Sequence, residues 1–479
     1  MVKTFRAHPL MIYNFLKPFL FVLLIPVVRG IIQYITNGEY DSILYFEILL
    51  AAVIVIIGVL RWRCFKLILD EQKQTVTVVS GLIFRKTAKI NIKRLSSVQT
   101  KQNPLEFIFY AVTFRLNTES GSIEKADYEF KLSVKASREV SKFLYGNDEQ
   151  KKIRYSFLKI AVLAATTSSA LTGMIIGVPV IYRAGNLLGI AISDMLFNEI
   201  NNVSHKIENY FPPIVNTITL ILLIAYLVSF FYLLIQYLNF QLRLGKEKIE
   251  MRSGIFVHKR TSFKKAAINN VRIEQSFLML LFRRFAMRVS VGGYGESKSR
   301  SEVVIPLEKG QEIRKHFAEY LPFFKCDTGI FIKPKPNTAN RSRFLFLPTV
   351  YFVLAIVTAV ILALLFRDFI HFILFCLCVT CALIFCYGWF CLFECFKGKV
   401  DFGDNIFIRS RKGLRTCELY CLKENVGEIK LVRFPADMWH NTCQIRLTVR
   451  SERADSLCVR HLDYATVKQT LNNYFNINV

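Results

Sequence analysis

The chain has 479 residues, of which 53% are hydrophobic and 42 are phenylalanine, and it carries a formal net charge of +27. That apolar share exceeds what a soluble globular protein of this size carries, and with so strong a basic excess it fits a membrane protein whose cytoplasmic parts meet an anionic leaflet rather than a nucleic-acid binder. The 12 cysteines do not read as a disulfide framework: six (Cys376, Cys378, Cys381, Cys386, Cys391 and Cys395) lie in or at the end of one apolar run, and Cys64, Cys417, Cys421, Cys443 and Cys458 fall in segments assigned to the reducing cytosol.

In chain order, Lys3 and Arg6 precede an apolar run without a convincing cleavage site, which reads as a retained anchor. Residues 11–35 and 43–60 are each long enough to cross a bilayer core of about 30 Å. Arg61, Arg63 and Lys66 follow the second run at once, so the N-terminus and everything after residue 61 are assigned to the cytoplasm. Residues 62–148 change to short β-branched or alternating runs, punctuated by Gly81 and Gly121 and closed by a helical stretch over 136–144. A second pair of crossings follows at about 156–182 and 214–238, within a segment 149–238 that includes an outer loop at 183–213. A second β-rich domain runs over 239–322 and ends in a helix from Glu308 to Leu321. A polar linker at 323–342 leads to the third pair, at 344–366 and 369–395 (segment 343–395). The third domain, 396–479, ends in a helix from Tyr464 to Phe475.

The stretch Ser80–Arg115 recurs without a gap 173 positions later as Ser253–Arg288. Ser80-Gly81 falls over Ser253-Gly254, Val98 over Val271, Gln102 over Gln275 and Phe109 over Phe282. A weaker copy lies 158 positions further on, where Val426, Ile429 and Arg446 fall on Ile268, Val271 and Arg288 and Gly413 is one position out of register. So long a period describes a repeated domain rather than a solenoid unit.

Two apolar helices followed by a β-domain with Ser-Gly and an aliphatic-x-x-Val-x-x-x-Gln-x-x-Leu core resemble the bacterial pleckstrin-homology-like membrane proteins, here the YdbT type with three such units. The resemblance implies a mixed membrane protein: six transmembrane α-helices in three pairs, with 1–61 as the first, each pair followed by a cytoplasmic PH-like β-sheet domain closed by a C-terminal helix. It further implies a seven-stranded bent sheet, no enzyme activity, and a hetero-complex with a smaller single-unit homologue. The third copy departs from the pattern, with Arg433 in place of the Gln.

Basic clusters follow the Ser-Gly turn in each unit: Arg85, Lys86, Lys89, Lys93 and Arg94; Lys259, Arg260, Lys264 and Lys265 after His258; and Arg409, Arg411, Lys412 and Arg415. They are candidates for contact with anionic lipid headgroups, the bland reading being positive-inside charge on a solvated face. The segment containing Phe277, Leu278, Leu280, Leu281 and Phe282 is too apolar for one face of a small domain, and is a candidate docking surface for the helix bundle or a partner. Cys417, Leu419 and Cys421 share one strand face, which points to core rather than metal. No nucleophile, P-loop or zincin motif occurs, and neither cofactor nor metal is expected. The function expected is a non-enzymatic scaffold or sensor of the bacterial inner membrane, its domains bound to one another, to the anionic surface and to the smaller homologue, in envelope stress or antimicrobial resistance. The alternative is a lipid or small-molecule transporter.

Overall fold

The computed structural model describes residues 2–19, 42–82, 84–118, 127–145, 151–169, 213–291, 302–324, 331–334, 338–449 and 455–475, with isolated residues at 35 and between 173 and 202. Most of the first apolar run, residues 170–182 in large part, most of the outer loop 183–213 and Gly121 lie outside the described residues. The chain forms two compact units: 1–153 with 241–267 and 292–298, and 154–240 with 268–291 and 299–479.

In the first unit, β1 (Val2–Arg6), β2 (Lys66–Asp70), β3 (Thr75–Ser80) and β4 (Lys86–Asn91) form an antiparallel sheet in that order. β1 precedes the helices α1 (Leu10–Leu16) and α2 (Ser42–Cys64), and β2 follows them, so the helical excursion is inserted between two paired strands. Alternation explains the packing: Leu67, Leu69, Val76, Val78 and Ile90 turn inward. They meet Leu95 and Val98 of β5 (Leu95–Gln102), Phe114 and Leu116 of β6 (Ala111–Thr118), and Phe130 and Leu132 of β7 (Tyr128–Ser133). Between β5 and β6 lies a short helix, α3 (Pro104–Ile108). Val140 and Leu144 of α4 (Val134–Tyr145) complete the core. Seven strands and one closing helix thus make the first domain.

The β5–β7 sheet does not stop there. Beyond β5 it continues into β11 (His258–Lys264), β10 (Lys248–Ser253), β9 (Gln241–Leu244) and β8 (Lys151–Arg154), the order being β7-β6-β5-β11-β10-β9-β8. Strands β8–β11 are the middle repeat's counterparts of β1–β4.

The second unit contains α5 (Phe157–Thr167) and α6 (Pro213–Tyr237), then β12 (Ile268–Ser276), α7 (Phe277–Leu281), β13 (Arg284–Val291), β14 (Glu302–Lys309) and α8 (Gly310–Tyr320). The third repeat follows with β15 (Phe331–Ile332), α9 (Thr338–Leu365), α10 (Ile370–Lys397), β16 (Lys399–Phe402), β17 (Asn405–Arg411) and β18 (Arg415–Leu422). β19 (Val426–Val432), α11 (Pro435–Trp439), β20 (Thr442–Val449), β21 (Asp455–Asp463) and α12 (Tyr464–Phe475) end the described chain. The sheet order β14-β13-β12-β18-β17-β16-β15 repeats the first unit's arrangement, and β19-β20-β21 stands as a separate sheet. Despite its divergent sequence, the third domain keeps four strands, three strands and a closing helix around one core. Cys417, Leu419 and Cys421 share that core with Cys443, Ile445, Leu447 and Val467.

Among the described residues, three helices are long and apolar enough to cross a membrane: Thr217–Tyr237, Asn340–Leu365 and Ile370–Lys397. α5 is a shorter apolar helix, and α2 is 23 residues of mostly apolar sequence.

Candidate membrane-apposed site

The helices and the repeated turns of the first domain lie at one end of it. Register places Arg6, Lys66, Val79 and Thr87 in one row across β1–β4, and the helical excursion departs after Arg6 and returns before Lys66. The β3–β4 turn therefore lies at the helix end. Gly81 takes φ +108° there, and a Cβ on it would stand 2.0 Å from the Phe84 carbonyl oxygen, so only glycine fits. The turn displays Leu82 and Phe84, the latter 81% exposed. Next come Arg85, Lys86, Lys89, Lys93 and Arg94, every one of them exposed.

α3 lies at the same end, because its neighbour Lys131 accepts, through its carbonyl, a hydrogen bond from the backbone N–H of His8 at 2.8 Å, just before α1. Glu106 turns inward from α3 to Lys131 Nζ (2.8 Å), Thr113 Oγ1 (2.7 Å) and the Asn103 backbone N–H (3.1 Å). Burial pushes its carboxyl up, but these donors hold it below the usual carboxylate range. The opposite face of the turn presents Leu105, Phe107, Ile108, Phe109 and Tyr110 to solvent. The β10–β11 turn joins them: His258 pairs with Gln102, and its ring lies 6.3 Å from that of Phe107. There Gly254 (φ +93°) is followed by exposed Ile255 and Phe256. Beside α1, a cavity of about 420 Å³ is lined by Phe15, Gly58, Arg61, Trp62, Phe130 and Lys131, among others.

In the second unit the same short helix recurs twice. In α7, Met279 packs with Leu163 of α5 and Tyr237 of α6, so α7 rests on the apolar helices. Phe277, Leu278, Leu281 and Phe282 face outward, Leu281 being 72% exposed, and Leu280 is half-buried. In α11 the inward residue is Asp437, which accepts from Arg343 of α9 and from Thr442, with His461 Nδ1 at 3.1 Å. Burial raises its carboxyl, but the Phe434 backbone N–H, Thr442 and His461 hold it lower. Phe434, Met438 and Trp439 point outward, Trp439 86% exposed. Each of the three helices closes with a left-handed residue at the same repeat position: Tyr110, Arg283 and Asn441.

The other basic clusters differ from the first. Arg260 pairs with Glu250 at 2.7 Å. Lys264 donates to the carbonyls of Ile92 (2.7 Å) and Lys93 (2.8 Å). Lys259 and Lys265 are half-buried, burial lowering the Lys265 ammonium. Arg409 pairs with Glu418 at 2.7 Å, and Arg411 is buried against Glu394 of α10 at 2.9 Å. Lys412 and Arg415 remain exposed beside the Gly413 turn. Arg260, Arg409 and Arg411 thus hold the protein's own carboxylates, and exposed cations concentrate in the first cluster.

The bacterial PH domain model matches residues 20–147 and 161–321, which is more than half of the chain. The chain belongs to the bacterial PH domain family. It is also similar to UPF0699 transmembrane protein YdbT of Bacillus subtilis (strain 168), 21% identical over 320 residues that cover 61% of this chain and 62% of that relative. The alignment therefore spans under two thirds of the relative's length. No solved structure matches. In this bacterial PH domain protein the repeated Gln is structural. Gln102 Nε2 donates to the Ala111 carbonyl at 3.0 Å and Gln275 Nε2 to that of Arg284 at 3.1 Å, bridging the loop that carries α3 or α7. Arg433, at that position in the third repeat, instead lies over the Tyr464 ring at 4.0 Å.

The sequence reading did not find the ion pairs that tie helices to sheets: Lys159 with Glu308 at 2.6 Å, Arg343 with Asp437, and Arg411 with Glu394. The signal for the last was present, since Glu394 is the one acidic residue in Ile370–Lys397.

Proposed function

We propose that this protein is a non-enzymatic membrane scaffold or sensor whose PH-like domains rest on the anionic face of the bacterial cytoplasmic membrane. In this reading six helices cross in three pairs, and the domains and both termini are cytoplasmic. A smaller single-unit homologue is a partner, and the setting is envelope stress or antimicrobial resistance. One observation carries the lipid contact: exposed aromatic and aliphatic tips, with Arg85 and Lys86 of the first basic cluster beside them, lie at the end of the first domain from which the helices leave, whereas Lys93 and Arg94 follow Asn91 at the other end of β4. Apolar tips enter the interface while lysines and arginines meet headgroups, each contributing about 1 kcal/mol before screening.

The test uses the full chain in lipid nanodiscs, with a fluorophore on Phe84→Cys, compared between zwitterionic and anionic lipid. Quenching by lipid-borne bromine is expected to rise in anionic lipid and to fall when Arg85 and Lys86 become Gln. Equal quenching by aqueous iodide in all of these samples would overturn the reading.

A further inference from the structure

Every domain junction in this chain is a strand pairing, and two edges of the same kind are left over. β5 pairs with β11, and β12 pairs with β18, so the second half-sheet of one repeat takes up the first half-sheet of the next. β4 is the first-repeat counterpart of β11 and β18, and β19 is the third-repeat counterpart of β5 and β12. Each ends its sheet, with no strand on its outer edge among the described residues. Burial follows the pairing: residues 95–99 of β5 are all buried, whereas their counterparts 426–430 in β19 are half-buried or exposed. Residues 416–419 of β18 are buried, while 86–88 of β4 are exposed or half-buried.

We infer that β4 of one copy of this chain pairs antiparallel with β19 of a second copy, continuing between chains the junction already formed twice within one. The two internal junctions predict one register. His258↔Gln102 and Asn270↔Cys421, carried along the repeat offsets of 173 and 158 positions, both give Lys86 opposite Val432, Ala88 opposite Lys430 and Ile90 opposite Glu428. Side-chain pattern agrees as well. At the internal junctions most core residues face polar ones, as Leu419 faces Arg272, Cys417 faces Glu274 and Phe263 faces Ser97, while Val271 faces Tyr420. In the predicted pairing Ile90 faces Glu428, Ile429 faces Lys89 and Leu431 faces Thr87, with Ile90 in the first core and Ile429 and Leu431 against the third. The backbone shift at the start of β19, between Val426 and Glu428, also recurs at Leu95/Ser97 and Ile268/Asn270, where the strand is already paired. Other sheet ends, such as β1, β7, β8, β14, β15 and β21, are ends in every repeat and carry no such unfilled counterpart. Open edges of this kind recruit strands, and because β4 and β19 are different surfaces the association is head-to-tail.

The experiment co-expresses two differently tagged full-length chains, one with Ala88→Cys and the other with Lys430→Cys, and oxidises the membranes mildly. A disulfide-linked species of twice the chain mass carrying both tags is expected. It should fall to the level of the unsubstituted pair when Lys430→Cys is replaced by Val426→Cys, four positions out of register. Absence of the two-tag species, equal yields from both registers, linkage of Ala88→Cys to a smaller homologue instead, or an internal link when both cysteines sit on one chain would each overturn the inference. The unsubstituted chain, weighed in detergent by native mass spectrometry, gives a reading independent of the variants: more than one copy is expected, and a single copy overturns it.

Discussion

Glu394→Ala is the most informative single substitution for the coupling between helices and domains. Glu394 is 1% exposed near the end of α10. Its Oε2 accepts from Arg411 Nε at 2.9 Å and its Oε1 from the Arg460 backbone N–H at 3.2 Å, while the Arg411 guanidinium lies 4.8 Å from the centre of the Tyr387 ring. The neighbouring carboxylate raises Arg411 above its usual range even though burial alone would lower it. Removing the acid leaves a buried guanidinium without its counter-charge, which costs about 3–5 kcal/mol. Each 1.4 kcal/mol is about tenfold in an equilibrium, so the locally opened population should rise by about two to three and a half powers of ten. Cys391, one turn before Glu394, and Cys395, next to it, are buried with Phe344 and report that opening. Maleimide labelling of these two thiols in detergent, read by peptide mass, should accelerate correspondingly. Glu394→Met with Arg411→Met removes both charges and should recover most of the protection. If Glu394→Ala labels within threefold of the parent, or the double variant labels as fast as the single, the pair is not what holds α10 to the third domain.

Three further outcomes follow from local geometry. Because Glu106 is held below its ordinary range, its contribution to stability is present above about pH 4.5 and is lost as the pH falls through the lowered value. The difference in denaturation midpoint between the parent and Glu106→Gln should therefore be widest at pH 7 and close on acidification. Gly81→Ala should destabilise by at least about 1–2 kcal/mol, since its Cβ meets the Phe84 carbonyl, as a denaturant midpoint would record. Gly413→Asn, at φ +62° with nothing within 4 Å of a Cβ, should stay within about 0.5 kcal/mol of the parent.

The repeat made much of this legible. Identical spacing of Gly81 and Gly254, and of Gln102 and Gln275, marks identical turns and the same side-chain bond to a carbonyl. The alternation Cys417, Leu419, Cys421 marks a core face. The junctions were not legible, because a strand's pattern fixes which face is buried and says nothing about which strand takes its edge. β1, β8 and β15 were hidden for another reason: segments as short as Val2–Arg6, Lys151–Arg154 and Phe331–Ile332 read as flanking charge or linker beside the apolar runs. The basic clusters looked equivalent in sequence, yet Arg411 faces an acid in α10 and Arg85 faces solvent. That distinction depends on Glu394, which lies 17 positions from Arg411 and in another element.

Strand exchange between repeats also sets a clock for biosynthesis. β5 is complete at Gln102, but its partner edge begins at His258, about 150 residues later and beyond two further apolar segments. At roughly 5–20 residues per second, the first domain waits on the order of 10–30 s with β5 uncovered, a window in which a holdase, or the β4 edge of a finished neighbour, competes for it.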